Sequence, residues 1–528
     1  MDGLIRIGSR KSILARIQAY LVGRALSQNN PELKISYHFK ESSGDKDLKT
    51  PLSKMPKKGV FTRDLQEELI NNKIDCIVHS WKDLDLEERE ETEVISVLPR
   101  EDQRDVLLFK SNLYEIPPNN LIFCTSSPRR EYNLSQFFLT HLPKKLRDIP
   151  MEFYPIRGNI ETRIRNFLEG EFSGLIIAKA ALDRLLKIDS IPAIPEDEKQ
   201  EFYSVVNFIK SSLNKCLFSV LPLSKNPNAP AQGALAVEIL KSNESVKQIL
   251  LKIQDQHTNS NTLKERKILS KFGGGCHQKI GVSIQNFSFG EVCFLRGITD
   301  KGNKIKLNDV LPEINEMYID NINNNLKSNE NLKYSKNEIW PPGGVMASRK
   351  RNQISVKIPD NKDLLVSRGY SLPENIFINP REQLIWTAGV STWKELADRN
   401  LWVHGSFDSL GESSLEDLQC LMDRSLDFIK LTHSESKEDT FFRTFYTYNI
   451  EDPEIPPNFN PETIKAVFWR SGSEFDFVTN KFPLLKTLPT FCGPGSTYRH
   501  LSDDPVIKIH NKLYIYLSFK DWLVKHTL

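Results

Sequence analysis

Residues 121–130 read Leu121-Ile122-Phe123-Cys124-Thr125-Ser126-Ser127-Pro128-Arg129-Arg130, an apolar run followed by a hydroxyl-rich and then basic turn. The run has the length of a buried strand, and the turn opens the next element. Open α/β sheets take ligands at the carboxyl ends of their strands, where helix N-termini offer unpaired N–H groups to anions. The same grammar recurs on both sides. Leu4 to Ile7 reads as a strand, followed by Gly8-Ser9-Arg10-Lys11-Ser12 and a helix whose one face carries Ile13, Leu14, Ile17, Leu21, Val22 and Ala25. A helix marked by Leu65, Leu69 and Ile70 leads to the strand 74–78, which ends in His79-Ser80-Trp81-Lys82-Asp83. Phe153-Tyr154-Pro155-Ile156 runs into Arg157-Gly158-Asn159, with Arg163 inside the next helix, and Leu175 to Ala178 is a further strand. Alternation of this kind through the first 240 residues predicts an α/β fold with a central sheet. Residues 190–230, broken by Pro192, Pro195, Pro222, Pro227 and Pro230, read as a surface excursion with one helix around Phe202 to Leu213.

An arginine at one helix start is ordinarily a solvated charge. Several converging on one sheet edge describe a cleft for a ligand with many carboxylates or phosphates, and arginine suits bidentate contacts to either. No GxxxxGK[ST] or GxGxxG occurs, so a nucleotide reading lacks support. Asp83 stands among these cations either as a salt-bridge partner or as a group that stabilises a cationic intermediate or moves protons.

A second motif is Gly273-Gly274-Gly275-Cys276. Thr262 and Glu265 have capping-box spacing, and Leu263, Ile268, Leu269 and Phe272 predict a short amphipathic helix that stops at Gly273. A thiol on the accessible stretch that follows can carry a covalent group; alone, it reads more readily as a small buried hydrophobe.

The chain has 528 residues, a length that predicts three to five domains, and its 39% hydrophobic and 26% charged content is that of a globular protein. No segment approaches the roughly 18 apolar residues of a membrane helix, and Met1 to Ile7 enters a strand without the pattern of a signal peptide, so a cytoplasmic location is expected. Seven scattered cysteines without a CxxC pair argue against a disulfide framework and a zinc site; no metal is expected. A net charge of +3 is too balanced for general nucleic-acid binding. Residues 327–343, polar and then rich in proline and glycine, predict a linker to a further α/β region at 344–528.

Ile5-Arg6-Ile7-Gly8-Ser9-Arg10, Val78 to Asp83, Thr125 to Arg130, Ile156-Arg157-Gly158-Asn159 with Thr162-Arg163, Ala231-Gln232-Gly233-Ala234 and Gly274-Gly275-Cys276 occur in the order seen in porphobilinogen deaminases (hydroxymethylbilane synthases). Residues 4–326 thus resemble that family. The resemblance implies two periplasmic-binding-protein-like α/β domains, 1–98 plus 226–250 and 99–225, and a small α+β domain, 251–326. It implies a dipyrromethane cofactor joined by thioether to Cys276. It also implies a tetrapyrrole-pathway transferase that joins four porphobilinogen units with loss of ammonia and releases hydroxymethylbilane, acting as a monomer without nucleic acid or membrane. On that pattern Asp83 is catalytic. Arg10, Ser12, Lys82, Ser127, Arg129, Arg130, Arg157, Arg163 and Arg184 hold cofactor and substrate carboxylates, and Lys54 and Lys58 belong to a loop over the cleft. Trp81, Asp85, Pro128 and Ala231 depart from the family's usual residues without removing a charged position.

In the C-terminal region Leu384 to Ala397 reads as strand, glycine turn and helix, and the turns Ser471-Gly472-Ser473 and Gly493-Pro494-Gly495-Ser496-Thr497 repeat the idea. The region resembles uroporphyrinogen-III synthase, which implies cyclisation of hydroxymethylbilane with Ser471, Ser473, Gly493, Ser496 and Thr497 at the ligand turns. The alternatives are a deaminase with a non-catalytic extension and, from another class, a non-catalytic anion-binding protein.

Overall fold

The computed structural model of the chain describes residues 3–41, 63–86, 89–191, 194–273, 278–325, 334–342, 350–374, 376–422, 424–436, 441–452, 455, 457–510 and 512–527. It is a mixed α/β protein with five sheets among those residues.

Two five-stranded sheets carry the N-terminal half and share one plan. The first runs Lys34–Lys40, Leu4–Arg10, Cys76–Ser80, Leu235–Leu240, Thr92–Val97; the second runs Met151–Tyr154, Leu121–Cys124, Gly174–Ala178, Asp105–Lys110, Cys216–Val220. In each, three parallel strands are followed by one antiparallel strand that the chain uses on crossing between the sheets. The inner strands are near-continuous apolar runs because both faces are covered: Gly174–Ala178 is buried throughout. The carboxyl ends of the parallel strands therefore bring Arg10, Lys82 and the 125–130 turn toward one crevice.

A three-stranded antiparallel sheet, Lys279–Phe287, Gly290–Ile298 and Lys304–Leu311, packs against the helix Gln256–Ser270. That helix begins earlier than its sequence suggests. Asp255 is its N-cap, accepting from the Thr258 N–H at 2.7 Å. Thr262 and Glu265 lie in its buried interior, and Leu263 is 51% exposed. Glu265 serves instead as an internal anchor, taking both guanidinium nitrogens of Arg100 at 2.9 Å and the backbone N–H groups of Ala231 and Ile284 at 2.8 Å.

The C-terminal region forms two lobes. Arg351–Gln353, Asp363–Val366, Ile385–Thr387, Gly405–Ser406, Phe428–His433 and Arg443–Ile450 make a six-stranded sheet, parallel except for Arg351–Gln353. Ile339–Trp340, Ala466–Trp469, Thr490–Cys492 and Leu513–Ile515 make a parallel four-stranded one. Ile339 and Trp340 fall in the stretch expected to be a linker, yet they are buried and pair with Ala466 and Val467. The six-stranded lobe docks on the edge strand Cys216–Val220. The Val220 N–H donates to His404 O at 2.8 Å, Trp402 Nε1 donates to Phe218 O at 2.9 Å, and Leu365, Leu384 and Trp386 join the core that holds Val106 and Leu108. Covering an edge strand removes a row of unpaired backbone groups.

Candidate active site

A cleft of about 760 Å³ lies where the two N-terminal sheets face each other. Seven basic side chains line it: Arg10, Lys11, Lys82, Arg130, Arg157, Arg163 and Arg184. Arg10 ends the first strand, and Ser12, also on the wall, is the N-cap of the helix Ile13–Asn29. Lys82 and Asp83 form a single 3-10 turn after Cys76–Ser80. Asn159 caps the helix Ile160–Glu169, whose second turn bears Arg163, with Arg163 Nε donating to Gly158 O at 2.7 Å. Arg184 sits on the buried helix Lys179–Leu186 and donates to Gly233 O at 2.6 Å.

Crowding of like charge shapes the electrostatics. Burial, helped by the neighbouring Arg130, lowers the Arg163 guanidinium to about 10, with Asp83 opposing. Burial lowers Arg184 to about 10, and its Nε has no partner among the described residues. Burial lowers the Lys82 ammonium to about 8; Asp83 and Asp105 pull it up while Arg130 and Arg129 push it further down. Glu41, Glu161 and Glu201 also line the cleft, but Lys11, Arg165 and Arg16 engage them at 3.9, 2.9 and 2.6 Å. Asp83 is the exposed carboxylate of the wall that forms no ion pair within 4 Å among the described residues.

Beneath the wall lies a residue that sequence reading missed. Asp105, 1% exposed, accepts from Arg129 at 2.9 Å, from Arg130 at 3.0 and 2.7 Å, from Asn226 at 2.8 Å and from Gln232 at 2.8 Å. Two guanidinium groups hold its carboxyl well below the ordinary carboxylate range against the cost of burial. Gln232 in turn accepts from Lys82 Nζ at 3.2 Å, so one buried anion steadies both Arg130 and Lys82. Ser126, Gln18 and Gln232 also face the cleft.

Two expected ligand-holding residues stand elsewhere. Arg129 points away from the cleft into the interior, where Asp105, Asn226 Oδ1 at 3.0 Å and Pro227 O at 2.6 Å use its donors. Neighbouring positions on one helix differ by about 100° in direction, which sends Arg129 inward and leaves Arg130 on the wall. Ser127 caps the helix Pro128–His141, accepting from the Arg130 N–H. Lys54, Lys58 and Cys276 lie outside the described residues. Gly273, where the cofactor loop was expected to begin, has a φ of +97° and ends the turn after Gln256–Ser270.

The C-terminal turns do lie at strand ends. Ser471 caps Gly472–Lys481, accepting from the Glu474 N–H at 3.1 Å, and its hydroxyl is 3.2 Å from that of Ser473. Gly493 follows Thr490–Cys492, Ser496 opens Ser496–Ser502, and Thr497 is buried with its hydroxyl 3.4 Å from Arg470 O.

Among the described residues no group of metal-ligating side chains is present and no helix is long and apolar enough to cross a membrane. Residues 5–248 match the family model described as porphobilinogen deaminase, dipyrromethane cofactor binding domain. A "Probable porphobilinogen deaminase" of Sulfurisphaera tokodaii is 35% identical over 285 residues, 54% of this chain and 82% of the relative. Porphobilinogen deaminases of Clostridium novyi (34% identical, 52% and 82%) and a Nostoc species (32%, 53% and 77%) are similar over comparable shares.

Proposed function

The chain belongs to the porphobilinogen deaminase family of tetrapyrrole biosynthesis and carries its dipyrromethane cofactor-binding domain; on that premise we propose that its cleft condenses four porphobilinogen units into hydroxymethylbilane, with Cys276 as the cofactor's thioether anchor. The convergence of seven cations on one cleft, around one carboxylate without an ion pair among the described residues, carries this assignment. Each pyrrole brings an acetate and a propionate, and Arg10, Arg130, Arg157, Arg163, Arg184 and Lys82 would hold them. The buried, unpartnered Nε of Arg184 suits such a carboxylate. The cofactor, when bound, supplies the pyrrole carbon to which the first substrate is joined.

Asp83 faces the reacting rings as an exposed carboxylate with its lone pairs unused among the described residues. It stabilises the positive charge that develops as ammonia leaves porphobilinogen, and it receives and returns the proton exchanged at the pyrrole carbon. The surrounding cations fix the side-chain carboxylates. A cleft of about 760 Å³ lies in the ~300–1,000 Å³ range of small-molecule sites, so an elongating chain must shift as it grows.

The C-terminal region would then close hydroxymethylbilane into uroporphyrinogen III, with the turns at Ser471, Ser473, Gly493, Ser496 and Thr497 presenting N–H and hydroxyl groups to carboxylates. Two parallel α/β lobes with small-residue turns at their strand ends support this reading. Intact mass of the denatured protein should show an adduct of dipyrromethane size that vanishes in Cys276→Ser. Incubation with porphobilinogen should give mainly the type III skeleton after oxidation. Active protein without an adduct overturns the Cys276 assignment, and type I alone overturns the cyclisation.

A further inference from the structure

The helix Lys179–Leu186 has two working faces. Ala180, Ala181 and Arg184 line the cleft. Lys179, Asp183 and Lys187, one turn apart, form another edge, and what covers it comes from the C-terminal region: the 3-10 segment Glu416–Leu421. Cys420 Sγ lies 3.4 Å from Asp183 Oδ1, and Lys187 Nζ lies 3.2 Å from Asp417 Oδ1. Leu415, Leu418 and Leu421 pack in the same apolar core as Leu182, Leu185 and Leu186. Burial and the neighbouring Asp183 push the Cys420 thiol up to about 12, so it stays S–H, with its one proton within reach of both that carboxylate and the Asp417 O at 3.1 Å.

Both polar contacts lead back to Arg184. Asp183 precedes it in the chain and is otherwise held by Lys179 at 2.6 Å. Lys187 also reaches Glu101 at 3.8 Å, and the Glu101 N–H donates to Gly233 O at 3.2 Å, the same carbonyl that accepts from Arg184 Nη2 at 2.6 Å.

We propose that Glu416–Leu421 of the C-terminal region is a positioning element for the deaminase cleft, with Asp417 and Cys420 setting where the helix 179–186 holds Arg184. The C-terminal region is then part of the substrate-binding machinery of the N-terminal half, whatever chemistry it performs itself. The inference rests on Arg184 binding a porphobilinogen carboxylate, and the experiment separates the two.

In full-length protein, kcat and KM for porphobilinogen are measured for Arg184→Gln, for Asp417→Ala/Cys420→Ala, for the same pair with Cys420→Ser, and for the exposed Asp417→Ala alone. Loss of one or two modest hydrogen bonds predicts a KM about three- to tenfold higher for the double variant, with kcat changed less. Serine at 420, which still donates, should recover part of that loss, and Asp417→Ala alone should show a smaller shift of the same kind. A raised KM in Arg184→Gln with none in the double variant overturns the positioning role. An unchanged KM in Arg184→Gln overturns the carboxylate reading and the inference with it. Equal loss in the alanine and serine forms, or a fall in kcat alone, also overturns it.

Discussion

Around the N-terminal cleft, strand ends bear arginine and lysine, and the anion that steadies Arg130 and, through Gln232, Lys82 is Asp105, buried below the wall. Where the two C-terminal lobes meet, strand ends bear serine and glycine, and the opposing loops touch. A Cβ on Gly411 would lie 3.1 Å from Gly495 Cα, both residues have positive φ, and Glu412 reaches Lys430 at 3.0 Å and Arg499 at 3.6 Å. Both regions set α/β lobes against each other. In one, an internal carboxylate holds Arg130 and Lys82 from behind the wall; in the other, a carboxylate at the junction occupies cations directly. The position of the protein's own anion decides whether a polyanion meets a prepared site or must compete for one.

The largest effect expected on this contrast is at Asp83. Asp83→Asn keeps the shape and removes the charge and the proton acceptor, so kcat should fall by ~10²–10⁴-fold, while the mass adduct remains. Turnover within tenfold of the parent would show that the cleft works by binding alone. Next is Asp105. Asp105→Ala leaves Arg129 and Arg130 buried without their counter-charge, a loss of about 3–5 kcal/mol in denaturant unfolding. A loss under 1 kcal/mol would mean that the two arginines find other partners, and the contrast between rear and front anions would collapse.

Lys82 gives a smaller, pH-dependent test. Its folded pKa, lowered to about 8 by burial, is below that of a free lysine. The unfolded chain therefore binds more protons between about 8 and 10.4, and the destabilisation caused by burying the Lys82 ammonium is relieved as pH rises across that window. Ligand binding has the opposite sign, because a carboxylate needs the ammonium. KM for porphobilinogen should rise as pH passes about 8, and Lys82→Arg, which stays charged, should flatten that limb. An identical limb in the variant would assign it to another group.

Much of the cleft was legible in the sequence. Arg10, Lys82, Asp83, Arg130, Arg157 and Arg163 follow apolar runs whose lengths mark strands, and a parallel sheet necessarily gathers such turns at one edge. Arg184 came only from family resemblance, since nothing around Lys179–Leu186 but its helical pattern speaks locally. Arg129 misled because its partners, Asp105 and Asn226, lie 24 and 97 residues away. The Thr262–Glu265 pair matched a cap but sits inside a longer helix, where Glu265 answers Arg100 across 165 residues. Ile339–Trp340 looked like linker because a two-residue strand has no periodicity, and its partner is 127 residues on. Local pattern identifies elements; the partners that decide which side chains remain available are long-range and leave no local mark.

Glu412 offers the gentlest way to probe the comparison. If hydroxymethylbilane enters the lobe junction, its carboxylates must displace Glu412 from Lys430 and Arg499, and the protein pays for breaking those pairs before any new one forms. Glu412→Gln removes the internal competitor while keeping the side chain's shape, taking away the carboxylate charge 3.0 Å from Lys430 and 3.6 Å from Arg499. Added hydroxymethylbilane should be cyclised with a KM lower by about two- to fivefold, at a cost in stability set by the loss of a buried ion pair. A higher KM would mean that Glu412 holds the lobes in their working arrangement, making the junction a prepared site like the N-terminal cleft.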